Sequence, residues 1–216
     1  MFQKHLITLI FICVISRLFG QASGTASANL LYGRTFFKKE RIAIKEYLSG
    51  SGFDADYRGQ VISLQVLGTG GPSRSANLSE LKDYYFSYNY VLPGYFRTQT
   101  HEVRIGGGYL SLQGGIDLFS DKKQFDLIPQ LGYNWGRMRI NEKLDGIESK
   151  YRNVFFAVKG GMSMNIILKR LVIHLEGNYQ LDLTNPSWKR QEGREFHIAG
   201  TKFHGFLVYG GLGYRF

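Results

Sequence analysis

Along most of this chain, apolar and polar side chains exchange places at every second position. The pattern recurs in eight segments, about 28–37, 57–67, 83–92, 102–118, 125–138, 152–166, 171–182 and 203–216, each bounded by glycines or charges. A period of two is that of a β-strand with one apolar face. The seventh segment is the cleanest. Leu171, Ile173, Leu175, Tyr179 and Leu181 share one face, while His174, Glu176, Asn178, Gln180 and Asp182 share the other, with Val172 the one exception. In the sixth, Val154, Phe156, Val158, Met162 and Met164 oppose Asn153, Lys159, Ser163 and Asn165. After the first twenty residues no window reads as a hydrophobic helix.

One apolar face per strand serves a soluble sandwich as well as a membrane barrel. Three features favour the barrel. The polar faces carry mostly Asn, Gln, Ser and Gly, which suit a cramped lumen better than open water. Aromatic residues gather near strand ends, with Phe36, Tyr90 and Trp135 toward one rim and Tyr84, Tyr214 and Phe216 toward the other. Interfacial girdles have that placement. The connections also alternate in length. Those at about 38–56, 93–101, 139–151 and 183–202 are long, whereas Ser120–Lys122 and Leu168–Arg170 are short turns. Long loops outside and short turns inside are the outer-membrane rule. The connection from Gly68 to Lys82 breaks it, being long on the inner side. The expected fold is all-β, an eight-stranded antiparallel transmembrane β-barrel over residues 21–216.

Composition agrees, with 27 Gly, 14 Tyr and 16 Phe against 4 Pro, as many strands and tight turns require. Residues 1–20, MFQKHLITLIFICVISRLFG, have a short polar start and an apolar run from Leu6 to Ile15, with small residues after it. They read as a cleaved signal peptide; the run is too short to span a bilayer, and Arg17 follows it closely. The only cysteine, Cys13, lies in that leader, so the mature barrel has no thiol for a disulfide or a metal site. The formal net charge is +10. Export makes nucleic acid the least suitable partner for it and leaves anionic lipid and lipopolysaccharide phosphate.

The chain ends Gly210-Gly211-Leu212-Gly213-Tyr214-Arg215-Phe216. Gly211, Tyr214 and Phe216 stand where bacterial outer-membrane barrels carry their assembly signal, and the sequence resembles those proteins over the whole mature chain. It is similar to the small OmpX and OmpA-transmembrane type; conjugal-transfer proteins of the TraO type share its length and leader. The resemblance implies residence in the bacterial outer membrane and a terminal strand read by the barrel-assembly machinery.

Eight strands enclose a lumen that side chains can fill, so a polar interior needs internal partners. Pairing strands six and seven about Leu168–Lys169 sets Lys159 near Asn178 with Glu176 one diagonal step away. The expected lumen cluster is therefore an ion pair of Lys159 with Glu176, flanked by His174, Asn178 and Gln180. Pairing strands four and five sets Gln113 opposite Gln130. In strand four the apolar parity switches from Val103, Ile105 and Tyr109 to Leu110, Leu112 and Ile116, and a bulge at Gly106-Gly107-Gly108 is expected there.

Chemistry is sparse. The mature histidines have no metal-ligand spacing, there is no nucleophile elbow, and no catalytic, cofactor or metal residue is expected. Cations in the first and last outer loops, among them Lys38, Lys45, Lys189 and Arg190, suit lipopolysaccharide phosphates, and Trp188 reads as an exposed anchor. The expected function is a non-enzymatic outer-membrane barrel with a structural or interaction role, or a subunit of an envelope assembly with a protein partner. Two other classes compete. One is a rim enzyme acting on lipid or peptide, using Ser187, Glu195 and His197. The other is a soluble lipocalin-like periplasmic barrel.

Overall fold

A computed structural model describes residues 25–55, 57–69, 83–119, 124–184, 188–192 and 202–216. The leader at 1–20, residues 70–82 of the long inner connection, and the turn at Ser120–Lys122 lie outside the described residues. So do Ser187, Glu195 and His197.

The alternating segments are the strands β1 (Thr25–Phe36), β2 (Gln60–Thr69), β3 (Asp83–Arg97), β4 (His101–Gly115), β5 (Phe125–Leu144), β6 (Ile147–Leu168) and β7 (Leu171–Asp182). After a four-residue strand β8 (Lys189–Glu192), the chain closes with β9 (Gly205–Arg215). Each of β1–β7 and β9 pairs antiparallel with its neighbours, β9 with both β1 and β7, and β5 with both β4 and β6. The sheet is thus a closed barrel of eight strands, with β8 added to the outer part of β6 at Lys150–Arg152. Among the described residues each of the eight wall strands has a paired neighbour on both sides, the condition for a sheet to cross lipid.

The apolar faces point outward. Along β5 the outward positions from Leu127 to Trp135 are apolar, as are those on β6 from Val154 to Leu168. Leu131 and Trp135 remain 65% and 62% exposed, which only a lipid surround makes favourable for side chains of that size. The start of β1, the C-terminus and the Lys169–Arg170 turn lie at one end of the barrel, since Phe216 N–H donates to Ala26 O at 2.8 Å and Arg215 N–H to Arg170 O at 2.8 Å. By the loop rule that end is periplasmic.

Four local expectations are corrected. The pairing of β6 with β7 is shifted by two residues: Lys159 lies opposite Gln180, Gly161 opposite Asn178 and Ser163 opposite Glu176. The β4–β5 pairing is shifted likewise, with Gln113 opposite Gly132 and Gln130 opposite Gly115. A two-residue slip keeps every side chain on its face, so alternation does not detect it. At β6–β7 the register is set by a two-residue turn in which Lys169 takes a positive φ of 59°.

Second, β4 has no bulge at Gly106–Gly108. Val103, Ile105, Tyr109, Ser111 and Gln113 all point inward, and Leu110 and Leu112 point out. The apparent switch arises because the lumen itself changes from apolar to polar along its length. The register break lies in β3, between Val91 and Gly94. Third, the loops expected at 93–101 and 139–151 are mostly strand. β3 runs to Arg97, while β5 and β6 continue to Leu144 and Ile147 and carry charged outward residues into water beyond the membrane.

Fourth, the first outer connection contains a helix, α1 (Lys38–Gly50). Its inner face is Glu40, Ala43, Ile44, Tyr47 and Leu48, all buried, at the i, i+3, i+4, i+7, i+8 spacing of an amphipathic helix. It ends at Gly52, whose φ of 82° turns the chain back so that Phe53 N–H meets Leu48 O at 2.8 Å.

Candidate functional site: the filled lumen

Three layers fill the barrel. At the periplasmic end Leu67, Tyr85 and Ile128 form a small apolar cluster. The outer end holds a larger one. Ile44 and Leu48 of α1, with Phe53, pack onto Val103, Ile105, Ile140 and Phe155 from the wall. Trp188 packs half-buried against this cluster, so it is part of the cap and not the exposed anchor expected from sequence. His101 fastens the far end of α1. Its Nδ1 is 3.1 Å from Ser51 O, and its Nε2 is 2.8 Å from Glu142 Oε1.

Between these clusters lies the polar layer, and Glu176 is its centre. Glu176 Oε1 accepts from Gln113 Nε2 at 3.1 Å and from Asn178 Nδ2, and lies 3.5 Å from Lys159 Nζ. Glu176 Oε2 accepts from Gln65 Nε2 at 2.9 Å and faces His174 Nε2 at 3.2 Å. Of the lumen residues singled out in the sequence, Lys159, His174 and Asn178 thus meet around the Glu176 carboxylate. Lys159 and Glu176 come together even though their strand positions are four residues out of step. Both reach along the axis of the barrel, where a flat register diagram does not place them. Gln180 stands apart, one level up, accepting from Asn134 Nδ2 at 2.5 Å and donating to Phe203 O at 2.9 Å.

Sequence reasoning missed Gln65 and Gln113 as partners of Glu176, and Asn165 as the partner of His174. His174 Nδ1 is 2.6 Å from Asn165 Oδ1, and Asn165 Nδ2 donates to Asp126 Oδ2 at 3.3 Å. The Gln65 and Gln113 contacts cross the lumen from strands that do not pair with β7, whereas Asn165 stands directly opposite both His174 and Asp126 on neighbouring strands. The only signal for them was that each carries an amide or acid on the polar parity. Hydrogen bonds to a carboxylate from several donors are among the stronger ones in proteins, and here they join β2, β4, β6 and β7 through one side chain.

No family model and no curated protein matches the sequence. Among solved structures the chain is similar to a major outer membrane protein from Thermus thermophilus. The TM-score is 0.50 at 9% identity, over 88% of this chain and 99% of that one. The fold is that of an outer-membrane β-barrel. The chain also aligns with Ail, the attachment invasion locus protein of Yersinia pestis (TM-score 0.49, 12% identity, 89% and 97% covered). A third match is Neisserial surface protein A (TM-score 0.41, 10% identity, 88% and 94% covered).

In this outer-membrane barrel fold the closing strand is β9. Gly211 faces inward at the β1–β9 seam, where a Cβ would fall on the Leu30 carbonyl and 2.9 Å from the Leu31 side chain, so glycine is required for the close approach. Tyr214 and Phe216 point outward at the periplasmic end with ring centroids 5.3 Å apart, and Arg170 Nη1 donates to the Tyr214 hydroxyl at 2.9 Å.

The cap holds one charge out of place. Glu40 stands in the first turn of α1, buried against the barrel mouth, and burial pushes its carboxyl up to about 8. Tyr57 lies close enough for the Glu40 charge to raise its phenol further, above a value already lifted by burial.

Proposed function

We propose that the protein is a non-enzymatic outer-membrane barrel that conducts nothing through its lumen and acts through its outer surface, as a structural or interaction element of the envelope. The observation that supports this most is the filled interior. The polar layer satisfies its carboxylate internally, and α1 roofs it with an apolar core, so that among the described residues the lumen is occupied by side chains at all three levels. The outer surface is correspondingly built up. Strands β3–β6 rise beyond the membrane, and β8 adds to β6 there, forming a wall on which a protein partner of an envelope assembly can dock. The outward aromatics of β9 are placed to serve as the strand that the barrel-assembly machinery reads. The exposed cations of α1 and β8, Lys38, Lys45, Lys189 and Arg190, suit phosphate-bearing lipids at the surface.

Conductance separates this reading from a channel. Protein refolded into planar bilayers should give no resolved current steps at neutral pH while migrating as a heat-modifiable folded species. Regular ohmic steps from the folded species would refute the closed-lumen reading. Hydrolysis of a lipid or peptide substrate by the same preparation would refute the non-enzymatic one.

A further inference from the structure

The outer wall carries a groove that the lumen account does not use. On the lipid-facing side of β4–β6, Leu110, Trp135 and Phe156 form one cross-strand row, the last that is wholly apolar. The next row toward the outside is Gly108, Arg137 and Val154, and the one after it is Gly106, Arg139 and Arg152. Gly106 and Gly108 supply no side chain, which leaves a notch of about 640 Å³ floored by backbone. The neighbouring strand overhangs it. A Cβ on Gly108 would sit 3.4 Å from the Tyr88 hydroxyl, and one on Gly106 would sit 3.3 Å from Pro93. Arg104 also lines the notch, its guanidinium 4.9 Å from the centre of the Tyr95 ring.

The charge arrangement calls for an anion. Arg139 and Arg152 stand directly opposite each other on adjacent strands, and Arg137 is the next outward residue on β5. Like charges in directly opposed positions destabilise a sheet. Among the described residues no carboxylate forms an ion pair with Arg137, Arg139 or Arg152. The depth selects the kind of anion. These guanidinium groups lie one and two rows beyond the apolar band, beside Trp135 and Tyr88, where the headgroups of the outer leaflet run. A guanidinium fork matches phosphate oxygens in bidentate geometry and is more weakly hydrated than an ammonium.

We propose that this groove binds the phosphorylated headgroup of an anionic outer-leaflet lipid. Arg137, Arg139 and Arg152 hold the phosphate, the glycine notch admits the headgroup to the backbone, and the acyl chains lie along Leu110, Trp135 and Phe156. The assignment of the leaflet rests on the outer-membrane reading above.

Trp135 reports on this site directly. In a Trp188→Phe background it is the only tryptophan left. The full chain is refolded into phosphatidylcholine vesicles containing brominated phosphatidic acid or, at the same mole fraction, brominated phosphatidylcholine. Quenching should show roughly a tenfold preference for phosphatidic acid. Arg139→Gln with Arg152→Gln should abolish the preference while heat-modifiable migration persists. Excess inorganic phosphate should leave it in place, because the lipid is held at the surface by its chains. Equal quenching by the two lipids, or a preference that survives the double substitution, overturns the proposal. Suppression by inorganic phosphate reassigns the groove to free phosphate and overturns the lipid assignment. If the double variant does not fold, Arg137→Gln alone gives the same readout. A wild-type chain that fails to insert into vesicles contradicts the membrane reading itself, whereas insertion without preference contradicts only the groove.

Discussion

Glu176→Ala should destabilise the folded barrel by roughly 3–5 kcal/mol, the cost of breaking a buried ion pair by removing one partner. The structure gives the reason for expecting the upper part of that range. Besides Lys159, this carboxylate is the acceptor for Gln65, Gln113 and Asn178 and faces His174. Alanine therefore strands one buried cation and several buried N–H donors. Adding Lys159→Met should restore only part of the loss, because the amide donors still face an empty acceptor position. Lys159→Met alone should cost less than Glu176→Ala, since it leaves four of the five groups around the carboxylate in place. Urea equilibrium unfolding in detergent gives each value, and the double-mutant cycle gives the coupling. Strictly additive losses would mean that Lys159 and Glu176 do not interact despite lying 3.5 Å apart.

The docking of α1 should weaken as pH rises, and Glu40 should be the cause. Its carboxyl titrates near 8 when the cap is docked, against an ordinary value of 4.5 when it is free. A raised carboxyl means that the docked state holds the proton more tightly. Its contribution is therefore fully favourable below about pH 4.5, is lost progressively as pH climbs to about 8, and changes no further above that. The whole loss is on the order of 5 kcal/mol, enough to release a single helix locally without opening the barrel. Trp188, packed against the cap cluster, reports the release in a Trp135→Phe background. The urea midpoint of its emission change should fall between pH 5 and pH 8 in the parent and stay level in Glu40→Gln. A level midpoint in the parent, or an unchanged fall in the variant, would remove Glu40 from this role.

How much of this was legible in the sequence depended on which period carried the information. The strands and their outward faces followed from the period of two, because lipid outside and a cramped interior constrain every second residue. Lys159, His174, Glu176 and Asn178 could be assigned to a common interior for the same reason. The pairing of Lys159 with Glu176 followed as well, but the partners from other strands did not. Gln65 and Gln113 reach Glu176 across the lumen from strands that never pair with β7, and parity says nothing about height along the axis. Helix α1 was hidden by its own surface: Lys38, Arg41, Lys45 and Glu46 dominate a short window, although the spacing of Glu40, Ala43, Ile44, Tyr47 and Leu48 was there to be read. The arginine groove was hidden by the same reasoning that found the barrel. Arg137 fell at the end of the fifth alternating segment and Arg139 in the loop expected at 139–151, yet both continue the outward parity of β5 without a break. The glycines 106–108 drew attention as a bulge, when their consequence is a bare patch on the wall.

Closure of the sheet between its first and last strands, within a bilayer, underlies every other conclusion, and one cross-link tests it. Leu30 and Leu212 stand directly opposite each other on β1 and β9, both pointing outward, at a separation that suits a disulfide between paired strands. The only cysteine in the sequence is Cys13, so a chain that begins at residue 21 and carries Leu30→Cys and Leu212→Cys has no other thiol. After insertion into phosphatidylcholine vesicles and mild oxidation, a closed barrel predicts an intramolecular disulfide in nearly every folded chain. Free thiols in the inserted protein, or cross-links that form only between chains, would contradict a barrel closed between β1 and β9.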